Sequence, residues 1–172
     1  SQTLGNFWQD MTRILLYVLL PLSIIVTILL MSQGVVQNFA ANLTINSLDQ
    51  GVEQLIPLGP GASQIAIKQL GTNGGGFFGV NSAHPFENPT VFSNLIENYA
   101  ILIVPSALIM AFGFFMKDLK QGRTVMIISV LVLVLATTGI FLSEMAPVFS
   151  DQLTAMGNME GKETRFGILL SS

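Results

Sequence analysis

Eight consecutive residues, Gly71-Thr72-Asn73-Gly74-Gly75-Gly76-Phe77-Phe78, hold four glycines, a hydroxyl, a side-chain amide and no charge. Glycine reaches dihedral angles that a Cβ forbids, positive φ included, so a run of carbonyls can be turned toward one point. Rings of such carbonyls replace the water shell of a dehydrated cation. The carbonyls of Thr72, Asn73 and Gly74 are the first candidate ligands, with the Thr72 hydroxyl and the Asn73 amide oxygen beside them. No acidic residue lies between Gly71 and Phe86, which points to neutral coordination rather than to a ring of carboxylates. The stretch Thr72, Asn73, Gly74, Gly75, Gly76 is therefore read as an ion selectivity filter.

The surrounding residues set the limits of that reading. Thr72-Asn73-Gly74 shares a Thr-x-Gly skeleton with the Thr-Val-Gly-Tyr-Gly loops of potassium channels. Gly74, Gly76 and Gly79 have the G-x-G-x-x-G spacing but follow a helical pattern rather than the strand a phosphate loop needs, and G-x-x-x-x-G-K-[ST] is absent. A plain glycine-rich turn built on the Asn73-Gly74 pair stays open. Phe77 and Phe78 are expected to pack the wall of the loop rather than touch an ion. Lys68 sits close to the loop, where a charge is costly unless it is paired or snorkels outward; an acid outside the membrane is the expected partner. Glu97 is either an ordinary interfacial charge or an attractor of cations. His84, the one histidine, precedes Pro85 and has no second ligand nearby, so it reads as a turn residue. No nucleophile–base pair, catalytic carboxylate pair or metal-ligand cluster is visible, and the chain does not read as an enzyme.

The elements that must position this loop are membrane spans. Crossing a bilayer takes roughly 20 apolar residues in a helix, and three blocks qualify: 14–31, 98–116 and 124–143. Pro21 and Pro105 fall inside the first two, which membrane helices tolerate. Residues 61–71 have a helical pattern, with Ile65, Ile67 and Leu70 apolar and Ser63 as the expected cap, but are too short to cross. Irregular backbone at membrane depth survives only where protein surrounds it or water reaches it. The order is span, pore helix 61–71, filter 72–76, turn-rich return 81–89, span. Residues 32–60 form a polar outer loop without a recognisable motif.

Composition agrees. Of 172 residues 51% are apolar and 10% charged, against about a quarter charged in soluble domains, and mean hydropathy is +0.64. The net charge of −3 offers no basic surface for nucleic acid, and without cysteines there are no disulfides or thiolate sites. Lys117, Lys120 and Arg123 put three basic residues in one short link, 117–123, which the positive-inside rule assigns to the cytoplasm. The segment 32–90 and the residues after Glu144 then face outward, with Asp49, Glu53, Glu87, Glu144 and Asp151 as outer acids. Both ends are expected to be interior points of a longer membrane protein.

Five stretches carry a resemblance: Pro57-Leu58-Gly59-Pro60, Ala62-Ser63-Gln64, the loop Gly71–Phe78, His84-Pro85-Phe86-Glu87-Asn88-Pro89-Thr90, and Asn158-Met159-Glu160-Gly161-Lys162-Glu163-Thr164-Arg165-Phe166-Gly167. They resemble the channel-like A subunit of the Kdp-type potassium-transporting ATPase of bacteria and some archaea, over nearly the whole chain. Gly79-Val80 departs from the more polar pair expected there.

The resemblance implies an all-α membrane protein of the potassium channel-like transporter superfamily, in which four span–pore helix–filter–span repeats surround one filter. Residues 1–116 would be the second repeat and residues 124–172 the start of the third, with its span, an outer segment and the beginning of the next pore helix. Thr72 to Gly76 would be the second filter segment, supported by Phe77, Phe78 and Lys68, with potassium as the transported ion and no cofactor. The expected partners are the remaining repeats, a P-type subunit that hydrolyses ATP, two small subunits and the lipid of the inner membrane, with the filter entrance facing outward. A gradient-driven symporter of the same superfamily and a non-transporting helical scaffold are the alternatives.

Overall fold

A computed structural model describes residues 5–46, 53–73, 75–145, 161–167 and 170. The chain divides into two compact units, 1–101 and 102–172.

In the first unit, helix α1 runs over Phe7–Ser32. Asn6 caps it, its Oδ1 accepting the N–H groups of Trp8 (3.1 Å) and Gln9 (3.4 Å), which satisfies donors a helix start leaves orphaned. Pro21 cannot donate, and its ring crowds the carbonyl one turn back. The helix answers with a π turn at Leu15–Leu19, where the Leu20 N–H reaches the Leu15 carbonyl five residues earlier.

Residues 32–60 contain more than a featureless loop. Strands β1 (Asn42–Asn46) and β2 (Glu53–Pro57) pair antiparallel, with Asn42 opposite Pro57 and Asn46 opposite Glu53. This hairpin corrects the reading of the segment as a loop without structure and adds two short strands to the all-α expectation, while the protein as a whole is a helical membrane protein. Leu43 opposite Ile56 and Thr44 opposite Leu55 supply the β-branched and apolar pairing. Strand exposure is almost complete, so no alternating buried face marked it in the sequence.

Helix α2 spans Gly61–Leu70. Ser63 does not cap it; the helix begins after Pro60, and the cap comes from 26 residues away. Gln37 Oε1 accepts the Ser63 N–H (2.9 Å), while its Nε2 donates to Ser63 Oγ (3.1 Å). The core of this unit lies between α1 and α2: Val26, Leu30, Val35, Ala62, Ile65, Ala66 and Leu70 are buried. Small residues at 61, 62 and 66 allow a close approach, since a Cβ at Gly61 would meet both the carbonyl and Cγ1 of Val36 at 3.0 Å.

Helix α3 covers Val91–Phe115. Thr90 and Ser93 form a reciprocal cap at its start, each hydroxyl accepting the other's N–H at 3.0 Å. The remainder of α3 belongs to the second unit, with α4 (Leu119–Met145) and the short α5 (Lys162–Phe166). The expected link 117–123 shortens to the turn 116–118, so Lys120 and Arg123 lie on the first turns of α4. Gly113 and Gly122 press backbone to backbone here: a Cβ on Gly122 would lie 2.9 Å from the Gly113 Cα. The rest of the expected outer segment, 146–160, and most of 168–172 lie outside the described residues.

Each of the three long helices runs past the span read from sequence, because caps and turns add helical residues beyond the apolar stretch. At 25 residues α3 is about 37 Å long at ~1.5 Å per residue, more than the roughly 30 Å hydrocarbon thickness. The apolar stretch of α4 buries none of its residues within the chain, the signature of a helix whose solvent is lipid.

Candidate functional site

Helix α2 does not simply stop at Leu70. The Thr72 N–H reaches back to the Gln69 carbonyl (3.0 Å) and the Asn73 N–H to the Lys68 carbonyl (2.9 Å), the paired bonds of a Schellman ending. Such an ending needs a left-handed residue, normally glycine. Here Thr72 has φ +61° and Asn73 φ +68°. A β-branched residue in this region is a true outlier, and strain of this kind costs on the order of 1–3 kcal/mol per residue.

The sequence puts the unusual dihedrals on the glycines, and the structure adds Thr72 and Asn73 upstream of them. Gly75 does adopt φ +124°, whereas Gly76 is needed for space, since a Cβ there would collide with the Gly79 carbonyl. Gly74 lies outside the described residues. Thr72, Asn73, Gly75 and Gly76 are all exposed. The Asn73 amide donates to the Asn81 side-chain oxygen, closing the loop between residues 73 and 81, and Asn81 and Ser82 return through left-handed angles of +53° and +50°.

Beneath this open loop is a buried polar network that the sequence only hinted at. Lys68 is 5% exposed and Glu87 0%, and they meet at 2.7 Å. Glu87 is thus the partner of Lys68, but it is buried rather than one of the solvated outer acids. Its second oxygen accepts the N–H of Phe78 and, at 3.3 Å, that of Gly79. Lys68 Nζ also donates to Ser82 Oγ (2.6 Å), which accepts Gln69 Nε2 at 3.0 Å. Gln69 Nε2 donates further to Glu97 Oε2 (2.6 Å). Glu97 is 2% exposed, which overturns its reading as an interfacial charge: helix α3 turns it inward against α2.

Opposing effects act on Glu87. Burial pushes its carboxyl up, but hydrogen bonds from Lys68 and the Phe78 N–H, with the charge of Lys68, together hold it below the usual carboxylate range. Removing one partner from a buried ion pair leaves the other uncompensated, at a cost of about 3–5 kcal/mol.

Aromatic rings brace the outgoing limb. Phe78 stacks on His84 (centroids 5.1 Å, 19°) and meets Phe86 edge-on at 5.6 Å. Phe77 contacts Phe78 at 4.8 Å and covers Gly59, where a Cβ would lie 3.2 Å from its ring. His84 Nδ1 accepts the Phe86 N–H (3.1 Å), as a turn residue does, and no metal-binding group of three acids or histidines occurs among the described residues.

Long apolar helices carrying a strained, uncharged loop on a buried ion pair define a helical membrane protein with a buried polar network beneath one loop. The family model described as Potassium-transporting ATPase A subunit matches residues 1–172, and the chain belongs to that family. Similar proteins named potassium-transporting ATPase potassium-binding subunit come from Listeria monocytogenes serotype 4b strain CLIP80459 (57% identical over 170 residues), Clostridium perfringens (52% over 189) and Pseudomonas putida (53% over 170). They match 97–98% of this chain, which spans 30–32% of their length.

Proposed function

We propose that this chain supplies one span–pore helix–filter–span repeat, residues 1–116, of a pore that binds and passes potassium, and with residues 124–172 the start of the next. Thr72, Asn73, Gly74, Gly75 and Gly76 are its contribution to the filter, with the carbonyls of Thr72, Asn73 and Gly74 as ligands. Phe77, Phe78 and Lys68 support them. The observation that carries this reading is the exposed run of strained, uncharged backbone at the end of α2, fixed from below by a buried ion pair. Strain held by its surroundings is what a preorganised ligand cage requires. Hydrolysis of ATP belongs to a partner P-type subunit, with two small subunits completing the complex in the inner membrane. Residues 117–123 face the cytoplasm and the filter opens outward.

The test uses a full-length potassium-binding subunit carrying this segment, assembled with its partners. Gly75→Ala forces a Cβ into φ +124° and Gly76→Ala drives one into the Gly79 carbonyl. Both variants are expected to lower potassium affinity and to weaken discrimination against rubidium and sodium, while Asn46→Ser on the exposed hairpin leaves both unchanged. Parental uptake at low potassium in both glycine variants would reduce the loop to a turn.

A further inference from the structure

The Lys68–Glu87 pair joins the two limbs of the loop, and its connections are divided between them. Lys68 holds the incoming limb through its backbone, its carbonyl accepting the Asn73 N–H at 2.9 Å. The same residue's ammonium, 2.7 Å from Glu87 Oε2, reaches across to the outgoing limb. There Glu87 Oε1 accepts the N–H groups of Phe78 and Gly79. Ser82 adds a third fixed point, its hydroxyl accepting both Lys68 and Gln69. All four side chains, Lys68, Gln69, Ser82 and Glu87, are at least 95% buried, so water does not loosen these contacts.

We infer that Lys68 and Glu87 are positioning residues that set the separation of residues 73 and 78 and thereby the placement of the ion-coordinating carbonyls of Thr72, Asn73 and Gly74. The inference rests on the filter reading above. Neither residue touches the ion. The chemistry requires a carboxylate: one oxygen takes the ammonium while the other takes two backbone amides. An amide side chain has a single acceptor oxygen and cannot serve both sides. Aspartate keeps the charge but is one methylene short, so it must draw the outgoing limb inward or release it.

The experiment measures potassium uptake against concentration, and potassium-to-rubidium discrimination, in the full-length assembled complex. Glu87→Gln and Glu87→Asp are expected to raise the half-saturating potassium concentration roughly tenfold or more, as misplacement on the ångström scale does in preorganised sites, and to erode discrimination. Ser82→Ala, which removes one fixed point and keeps the ion pair, shifts both in the same direction by a smaller factor and serves should the Glu87 variants fail to assemble. The double variant Lys68→Met/Glu87→Gln removes the unpaired charge that each single change leaves behind. It is expected to regain assembly yet keep the altered affinity and discrimination.

A purely structural pair would behave differently: its variants would lower the amount of complex, and what remained would show parental affinity and discrimination. That result in Glu87→Asp and Ser82→Ala overturns the inference, as does return of parental affinity in the double variant. Gly76→Ala separates the two levels. If it alters discrimination while the Glu87 and Ser82 variants do not, the positioning role falls and the filter stands. If none of them alters it, the filter reading falls as well.

Discussion

Helices α2 and α3 end in the same way and lead to opposite surroundings. Each closes with a Schellman pair of hydrogen bonds, Thr72 and Asn73 reaching back over α2, Lys117 and Asp118 over α3. Each puts a non-glycine in the left-handed position, Thr72 at φ +61° and Lys117 at φ +54°. Beyond Lys117 the chain turns at once into α4, held by the contact of Gly113 with Gly122 and by the Lys120 N–H on Asp118 Oδ1 (2.9 Å). Beyond Asn73 it enters an open loop that rests on a buried ion pair. Backbone strain is common to both ends and so does not mark a site. What the α2 end has and the α3 end lacks is the buried Lys68–Glu87 pair beneath exposed, uncharged backbone.

Changes at the two turns should separate packing from selectivity. The largest expected effect is that of Gly122→Val, which forces a side chain into the Gly113 backbone and destabilises the α3–α4 turn by about 1–3 kcal/mol. The yield of assembled complex and its thermal midpoint in detergent should fall, with potassium discrimination intact in what assembles. A change in discrimination would couple the turn to the loop and break the contrast.

Acid should distinguish the buried pair. Because the folded carboxyl of Glu87 titrates below its ordinary value, its contribution is complete above about pH 4.3, the unperturbed glutamate value, and is lost only as pH falls through the folded value. Uptake by the parent should therefore not fall through protonation of Glu87 between pH 7 and 5. In Lys68→Met the lowering contributions of Lys68 vanish and burial, which acts upward, remains. Uptake should then decline with acidification at a pH above the parent's. The profile is best recorded in a His84→Asn background, which removes the chain's one histidine. Identical profiles with and without Lys68 would contradict the account of Glu87.

Glycine substitutions at the two left-handed positions give the finest comparison. Thr72→Gly relieves roughly 1 kcal/mol of strain but loosens the loop, so the thermal midpoint should hold or rise while potassium affinity falls severalfold. Lys117→Gly, at an exposed turn, should stabilise by about 0.5–1 kcal/mol with affinity unchanged. A loss of affinity at one of two equivalent backbone positions and none at the other would mark the loop as the place where strain serves a purpose.

The long helices were legible because lipid solvation demands continuous apolar sequence, and the short α2 because its ten residues are bounded by Pro60 and Gly71. The polar network was not, for reasons of distance along the chain. Lys68 announced the need for a counter-charge, but Glu87 lies 19 residues away across a loop whose path depends on left-handed turns at Thr72, Asn73, Asn81 and Ser82. Threonine in that conformation is an expectation no propensity supports. Gln37 and Ser63 are separated by 26 residues, and the hairpin lacks the alternation that a half-buried strand would show. Glu97 looked interfacial because its place at the head of an apolar helix fits either environment.

The hydrogen bond from Thr90 Oγ1 to Gln33 Oε1, 2.8 Å long and bridging 57 residues, has a consequence for how the protein meets bilayers of different thickness. It ties the last turn of α1 to the first residue before α3, so these two helix ends keep a common level at one face of the membrane. A thinner or thicker bilayer demands tilt or bending from the helices, and that demand passes to the opposite half of α1. There the π turn at Leu15–Leu19 beside Pro21 is the compliant point. Lipid mismatch is thus expected to be absorbed near the start of α1, with the loop, fastened between the two tied ends, riding with them.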